Sequence, residues 1–173
     1  MKLIEFDGME FKIADEALLV RPIRELFQND KSKKKEEFWK QISYLWFMCD
    51  PRSSYMYIVN EDERAKEIKI QEGLGEDWNP PELLRDAMTI YRKHTITSAA
   101  ILLEGMRKGI DKLSAFLGET TFSEKTVAAM TNALKQIPEL SKALVEAEKS
   151  LAKDFETDDK ARGNASKAVG EDI

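Results

Sequence analysis

The segment from Pro80 to Leu117 limits what this chain can fold into more than any other. It opens Asn79-Pro80-Pro81-Glu82, closes Phe116-Leu117-Gly118, and contains no proline after Pro81. Apolar or small residues recur at helical spacing: Leu84, Met88, Tyr91, Thr95, Ser98, Leu102, Gly105, Gly109, Leu113 and Phe116. The spacing predicts one helix over 80–117. Asn79 is the expected N-cap, and the two prolines suit a first turn where a missing N–H costs nothing. Gly118 suits the left-handed position beyond a helix end. At 1.5 Å per residue such a helix is about 57 Å long. That outruns a compact domain of 173 residues, so the rod is expected to pair with another helix or with copies of itself.

A second amphipathic segment follows. Gly118 to Phe122 reads as a turn, and Ser123 as the start of the next helix. Its apolar row is Val127, Met130, Leu134, Ile137, Leu144, Leu151 and Phe155, close to a heptad repeat with lapses at Ser141 and Glu148. Pro138 predicts a kink or restart near Ile137. Two long helices joined by a short turn make an antiparallel hairpin, with its tip at 118–122. Gly105 and Gly109 lie about one turn apart and allow close helix approach. They cost the helix about 1 kcal/mol each relative to Ala.

The N-terminal half is shorter-grained. Asp7-Gly8 separates two short apolar runs (Leu3, Ile4, Phe6 and Met9, Phe11, Ile13), a two-residue β-hairpin signal. An isolated hairpin is marginal in water, so it packs on helices of its own chain or joins a sheet from another. A helix over 15–28 is expected, with Asp15 as cap and Pro22 kinking or dividing it. In Glu36–Cys49, Phe38, Ile42, Leu45, Trp46 and Cys49 share one face. From Tyr44 onward the segment is apolar nearly all round, which predicts a central helix or one facing a neighbouring subunit. Tyr55–Val59 reads as a short extended piece or apolar connector. Asn60 is placed to cap a helix over 61–72. Gly73-Leu74-Gly75 is a turn, with Trp78 as an anchor.

Few residues carry chemistry. Asp50 and Arg52 are spaced for a local ion pair. Asp50 with Ser53 and Ser54 has no base near it in sequence, so no catalytic residue is assigned. His94, the single histidine, lacks ligand-spaced partners, and no metal or cofactor site is assigned. The glycines at 73 and 75 lack the Gly-Lys-Ser/Thr of a phosphate loop. A net charge of −5 opposes general nucleic-acid binding, leaving Lys33-Lys34-Lys35 and Arg92-Lys93 as the basic sites for that reading. No apolar run reaches the roughly 18 residues of a membrane span. The lone Cys49 permits no internal disulfide, and the acids near the N-terminus oppose a secretory signal. Both fit a reducing interior or a particle assembled inside a cell.

The fold class expected is mainly α: a long antiparallel helical hairpin with shorter helices, a small N-terminal β-hairpin and a flexible C-terminal tail. The divisions expected are 1–79, 80–156 and 157–173, the last because almost no large apolar residue follows Glu156.

Two stretches carry a resemblance. They are Tyr44 to Tyr55 (Tyr-Leu-Trp-Phe-Met-Cys-Asp-Pro-Arg-Ser-Ser-Tyr) and Arg92 to Ser98 (Arg-Lys-His-Thr-Ile-Thr-Ser). The chain resembles small virion proteins of tailed bacteriophages of the crAss-like group. That resemblance implies a non-enzymatic structural subunit, a homo-oligomeric ring at the head–tail junction or tail. It also implies portal or tail ring proteins as neighbours and assembly in the host cytoplasm. It maps no functional residue. The competing expectation is a monomeric helical adaptor that binds one protein partner.

Overall fold

A computed structural model describes residues 3–6, 9–121 and 123–168, with side chains as far as Phe155. The chain is mainly helical, with one two-stranded antiparallel sheet among the described residues. It divides into two compact units, Met1–Ile96 and Thr97–Ile173.

The first unit begins with strands β1 (Ile4–Phe6) and β2 (Phe11–Ile13), paired Ile4 to Ile13 and Phe6 to Phe11. That register leaves residues 7–10 between the strands, four rather than the two expected. Asp7 and Gly8 themselves lie outside the described residues. A 3₁₀ turn (Asp15–Leu19) precedes α1 (Arg21–Asn29). Pro22 lies in the first turn of α1, so the expected 15–28 helix is divided. Ala14 stands at the N-cap of the 3₁₀ turn without a side-chain bond, so Asp15 does not cap it.

Helix α2 (Glu36–Cys49) is the hub. The face expected from spacing is buried, and so are Tyr44, Phe47 and Met48, as its all-round apolar end requires. The hairpin packs on it: Phe6 and Phe11 stack at 4.5 Å, and both meet Trp46 and Phe47 within 5.8 Å. The hairpin therefore packs within its own chain. The Trp46 indole Nε1 is buried without a hydrogen-bond partner.

After α2, Ser54–Tyr57 forms a 3₁₀ turn where an extended piece was expected. Asn60 caps α3 (Glu61–Gln71) as expected, its Oδ1 accepting from the amides of Asp62 and Glu63. Gly73 and Gly75 adopt φ of 65° and 89°, a conformation other residues rarely hold, and the chain turns there. Trp78 lies 4.8 Å from the Tyr44 ring and packs against the core.

Helix α4 spans Glu82–Thr95, with Pro81 rather than Asn79 at its N-cap. Asn79 is engaged elsewhere, donating to the Asp77 carbonyl and accepting from Lys69. The single helix expected over 80–117 does not form. Ile96 and Thr97 are extended, and α5 starts at Ser98 and runs to Glu119. Three consecutive β-branched residues, Thr95-Ile96-Thr97, weaken helix continuation. The Thr97 hydroxyl caps α5 by accepting from the Ala100 amide at 3.1 Å. The units accordingly meet at Ile96–Thr97, and α4 belongs with the N-terminal helices rather than with a unit starting at residue 80.

The second unit is a helical hairpin of α5 and α6 (Val127–Ala168). Gly118 lies inside α5, not beyond its end, and α6 starts four residues after Ser123. Thr126 ties the tip, donating to the Thr121 carbonyl at 2.7 Å and bonding the Ser123 amide. Pro138 lies inside α6, which runs through it without a restart. A proline removes one backbone bond of the helix. The α6 backbone continues over 157–168. The side chains of the expected tail, and residues 169–173, lie outside the described residues.

Candidate functional site

The buried carboxylate of Asp50 joins Arg52 and Tyr91 in the first unit. Pro51 disfavours helical backbone at the preceding residue, so α2 ends there with Asp50 extended. The fully buried carboxylate accepts from the Arg52 amide and Nε on Oδ1, at 2.9 and 2.8 Å. Oδ2 accepts from Arg52 Nη2 at 2.8 Å and from the Tyr91 hydroxyl at 2.6 Å. Arg52 Nη2 also reaches the Ile4 carbonyl at 3.1 Å. One carboxylate thus joins the α2 terminus, β1 and α4. Burial first, and then the Asp50 charge and hydrogen bond, hold the Tyr91 phenol protonated well above its ordinary range. Burial is the largest influence and opposes the Arg52 charge, but the hydrogen bond and charge of Asp50, together with Tyr91, outweigh it and raise the Arg52 pKa.

This is the ion pair expected between Asp50 and Arg52, with Tyr91 as an unforeseen third member. It does not assemble a nucleophile. Ser53 donates to the Phe47 carbonyl at 2.8 Å and accepts from the Tyr55 amide. Arg64, on the polar α3, was also missed: it is buried, donating from Nε to the Ile58 carbonyl at 2.8 Å. A lone arginine on a mostly polar helix gives no sequence signal of burial.

Cys49 is buried, and burial pushes its thiol up to about 11, against the opposing charge of Arg92. Arg92 donates to the sulfur at 3.4 Å and pairs with Glu61 through both Nη atoms at 3.1 and 3.2 Å. In the basic run, Lys35 is turned inward. Its φ is 55°, its ammonium sits 4.6 Å from the Phe27 ring centroid, and it caps the Phe27 and Asp30 carbonyls. Lys33 and Lys34 are exposed, as is His94. Among the described residues no group of three or more His, Cys, Asp or Glu is placed to hold a metal. Nor, among the described residues, is any helix long and apolar enough to cross a membrane. An open cleft of about 520 Å³ is lined by Tyr44, Asp62, Lys66, Lys69, Glu76 and Asp77. Its interleaved charges select neither an anion nor a cation.

The hairpin of the second unit is different, because its apolar surface exceeds what its own pairing covers. The α5 seam is Ala99, Leu103, Met106, Ile110, Leu113 and Leu117; the α6 seam is Met130, Ala133, Leu140, Leu144, Ala147, Leu151 and Phe155. Ser141 and Glu148 are not lapses in this row, because the alternate seam positions are Ala133, Leu140 and Ala147. Several residues expected inside face out. Leu102 is 57% exposed and Leu134 53%, and Phe116 and Ile137 are also exposed; so are Ile101 and Val145, which belonged to neither expected row. Among the described residues nothing lies within 4 Å of a Cβ built on Gly105 or Gly109, so neither glycine serves a close approach there.

These outward residues form two rows. On α5, Leu102, Gly105, Gly109 and Phe116 align roughly a quarter turn from the seam; on α6, Leu134, Ser141 and Val145 do the same. Residues advance clockwise along a right-handed helix viewed from its N-terminus. The α5 row lies counterclockwise of its seam, and the α6 row clockwise. Because the helices are antiparallel and their seams face each other, the two rows lie on opposite faces of the hairpin.

The chain matches no protein-family model, and neither curated proteins nor solved structures show significant similarity to it.

Proposed function

We propose that this chain is a non-enzymatic structural subunit that associates with copies of itself through the α5–α6 hairpin, as the ring component of a tailed-phage virion. The observation that carries the assembly reading is the pair of exposed apolar rows on opposite faces of the hairpin. The seam between the helices is thin and rich in alanine at one end: Ala99, Ala100, Leu103, Ala147, Leu151 and Phe155. Such a seam buries little area per turn, and a second layer of helices stabilises it. Unlike rows on opposite faces suit a heterologous contact, in which the α5 face of one copy meets the α6 face of the next. Heterologous contacts generate rings when the rotation closes and filaments when it does not. The virion setting, with portal or tail ring proteins as neighbours, rests on the resemblance of the 44–55 and 92–98 stretches alone.

Light scattering across concentration tests the reading. A discrete oligomer, lost in Leu102→Glu, is the expected result. A wild-type mass fixed at 19.8 kDa, with one stoichiometric foreign partner recovered, favours the monomeric adaptor instead.

A further inference from the structure

We infer that the contact between copies is antiparallel: α6 of the next copy lies on the outward row of α5, and Asp111 of that copy faces Lys112. This rests on the self-association proposed above and names the orientation of the partner. Three features of the hairpin support it. The first is charge. Lys108 and Lys112 flank the α5 row on the side away from the seam. Lys135, Lys142 and Lys149 flank the α6 row in the same way, and all five are exposed. A parallel contact between the two rows turns the second set toward the first, lysine against lysine. An antiparallel contact turns the α6 lysines away and brings the neighbour's α5 beside Lys108 and Lys112. The face which that helix presents carries Glu104, Arg107 and Asp111.

The second is which of these charges are free. Glu104 pairs with Lys108 of its own helix at 2.5 Å, and Arg107 with Glu148 at 3.1 Å. Lys112 and Asp111 are exposed, and neither has an ion-pair partner among the described residues. Consecutive in sequence, they stand at nearly the same height on the hairpin and point toward its two faces. A neighbour displaced sideways, without sliding along the axis, therefore sets its Asp111 level with Lys112.

The third is size. The Arg107–Glu148 pair fixes the height of α6 against α5 within one copy. The same heights across the antiparallel contact set Leu102 against Ala152, Gly109 against Val145, and Phe116 between Pro138 and Ser141. Each large side chain meets a small or open position. Nothing among the described residues lies within 4 Å of a Cβ built on Gly109, which leaves room for Val145 of the next copy.

The test exchanges the two charges in the full chain and follows association by light scattering at low salt, where exposed pairs are least screened. Lys112→Glu alone and Asp111→Lys alone each set like charges face to face and should weaken association about fivefold. An equimolar mixture of the two, and the double variant carrying both, should recover the wild-type strength, which damage to the fold would not allow. A short bismaleimide should join Lys112→Cys to Asp111→Cys in a mixture of those single variants, and not Lys112→Cys to Lys142→Cys; Cys49 is buried in each. Cross-linking with the opposite selectivity shows a parallel contact and overturns the proposal. So does a double variant no stronger than the single ones, where the wild type assembles and Leu102→Glu does not; self-association through the rows then stands without this orientation. A wild type that stays monomeric overturns both.

Discussion

Tyr91 donates its phenolic proton to the fully buried carboxylate of Asp50 at 2.6 Å, across 41 positions of sequence. Arg52 closes the other side of the same carboxylate. The first unit is thereby tied at one point where α2, β1 and α4 meet, and substitutions there should lower its stability.

Removing the two partners should have unequal effects. Tyr91→Phe loses one hydrogen bond to a charged group and keeps the ring, costing roughly 1.5–3 kcal/mol. Asp50→Ala leaves a partly buried guanidinium without its carboxylate and a buried hydroxyl without its acceptor, costing roughly 3–5 kcal/mol. Urea midpoints should rank wild type above Tyr91→Phe and Tyr91→Phe above Asp50→Ala. An Asp50→Ala protein as stable as Tyr91→Phe would deny the carboxylate its central position.

Acid sensitivity has an origin at the turn before α2. The Phe38 amide, then Ser32, hold the Asp30 carboxyl down, from 3.8 to about 2. A depressed folded pKa means the contribution is present above the unfolded value and is lost as pH falls through the folded one. Stability should therefore drop between about pH 4 and 2, and Asp30→Asn should flatten that part of the curve. Acid titration followed by circular dichroism checks it.

Cys49 should resist alkylation in the folded protein at pH 8 and react at once in denaturant, because only the thiolate is the nucleophile. Burial has raised its pKa to about 11. Rapid native labelling would mean that the α2 terminus opens.

Gly105→Ala and Gly109→Ala separate intrinsic helix stability from assembly. The added methyls meet nothing among the described residues, so each substitution should stabilise α5 by about 1 kcal/mol. If a neighbouring helix approaches that row, the same methyls should weaken association. Melting temperature and sedimentation should then move in opposite directions.

The elements were legible where local chemistry decides them. The turn of Phe38, Trp46 and Cys49 toward one buried face, the Asn60 cap and the left-handed glycines at 73 and 75 follow from residue type and spacing. The junction at Ile96–Thr97 was not, because Thr97 caps without proline or glycine to mark a stop, and the apolar spacing runs through it. The hairpin seam was read half correctly. Met130, Leu144 and Leu151 lie on it, but large residues drew the alternate row to Leu134 when the inward positions are Ala133 and Ala147. On α5, Leu102 and Phe116 outranked the smaller Ala99 for the same reason. Size marks an apolar row but not which neighbour covers it. The Asp50–Tyr91 contact was invisible because nothing local specifies a pairing 41 residues apart.

The most direct measurement is a mixing experiment on the two faces of the hairpin. One variant carries Leu102→Glu and Phe116→Glu, blocking the α5 row; the other carries Leu134→Glu and Val145→Glu, blocking the α6 row. Light scattering should find each alone at the monomer mass of 19.8 kDa and an equimolar mixture as a one-to-one dimer, joined through the two intact faces. A mixture that stays monomeric at concentrations where the wild type assembles would contradict head-to-tail association through these rows.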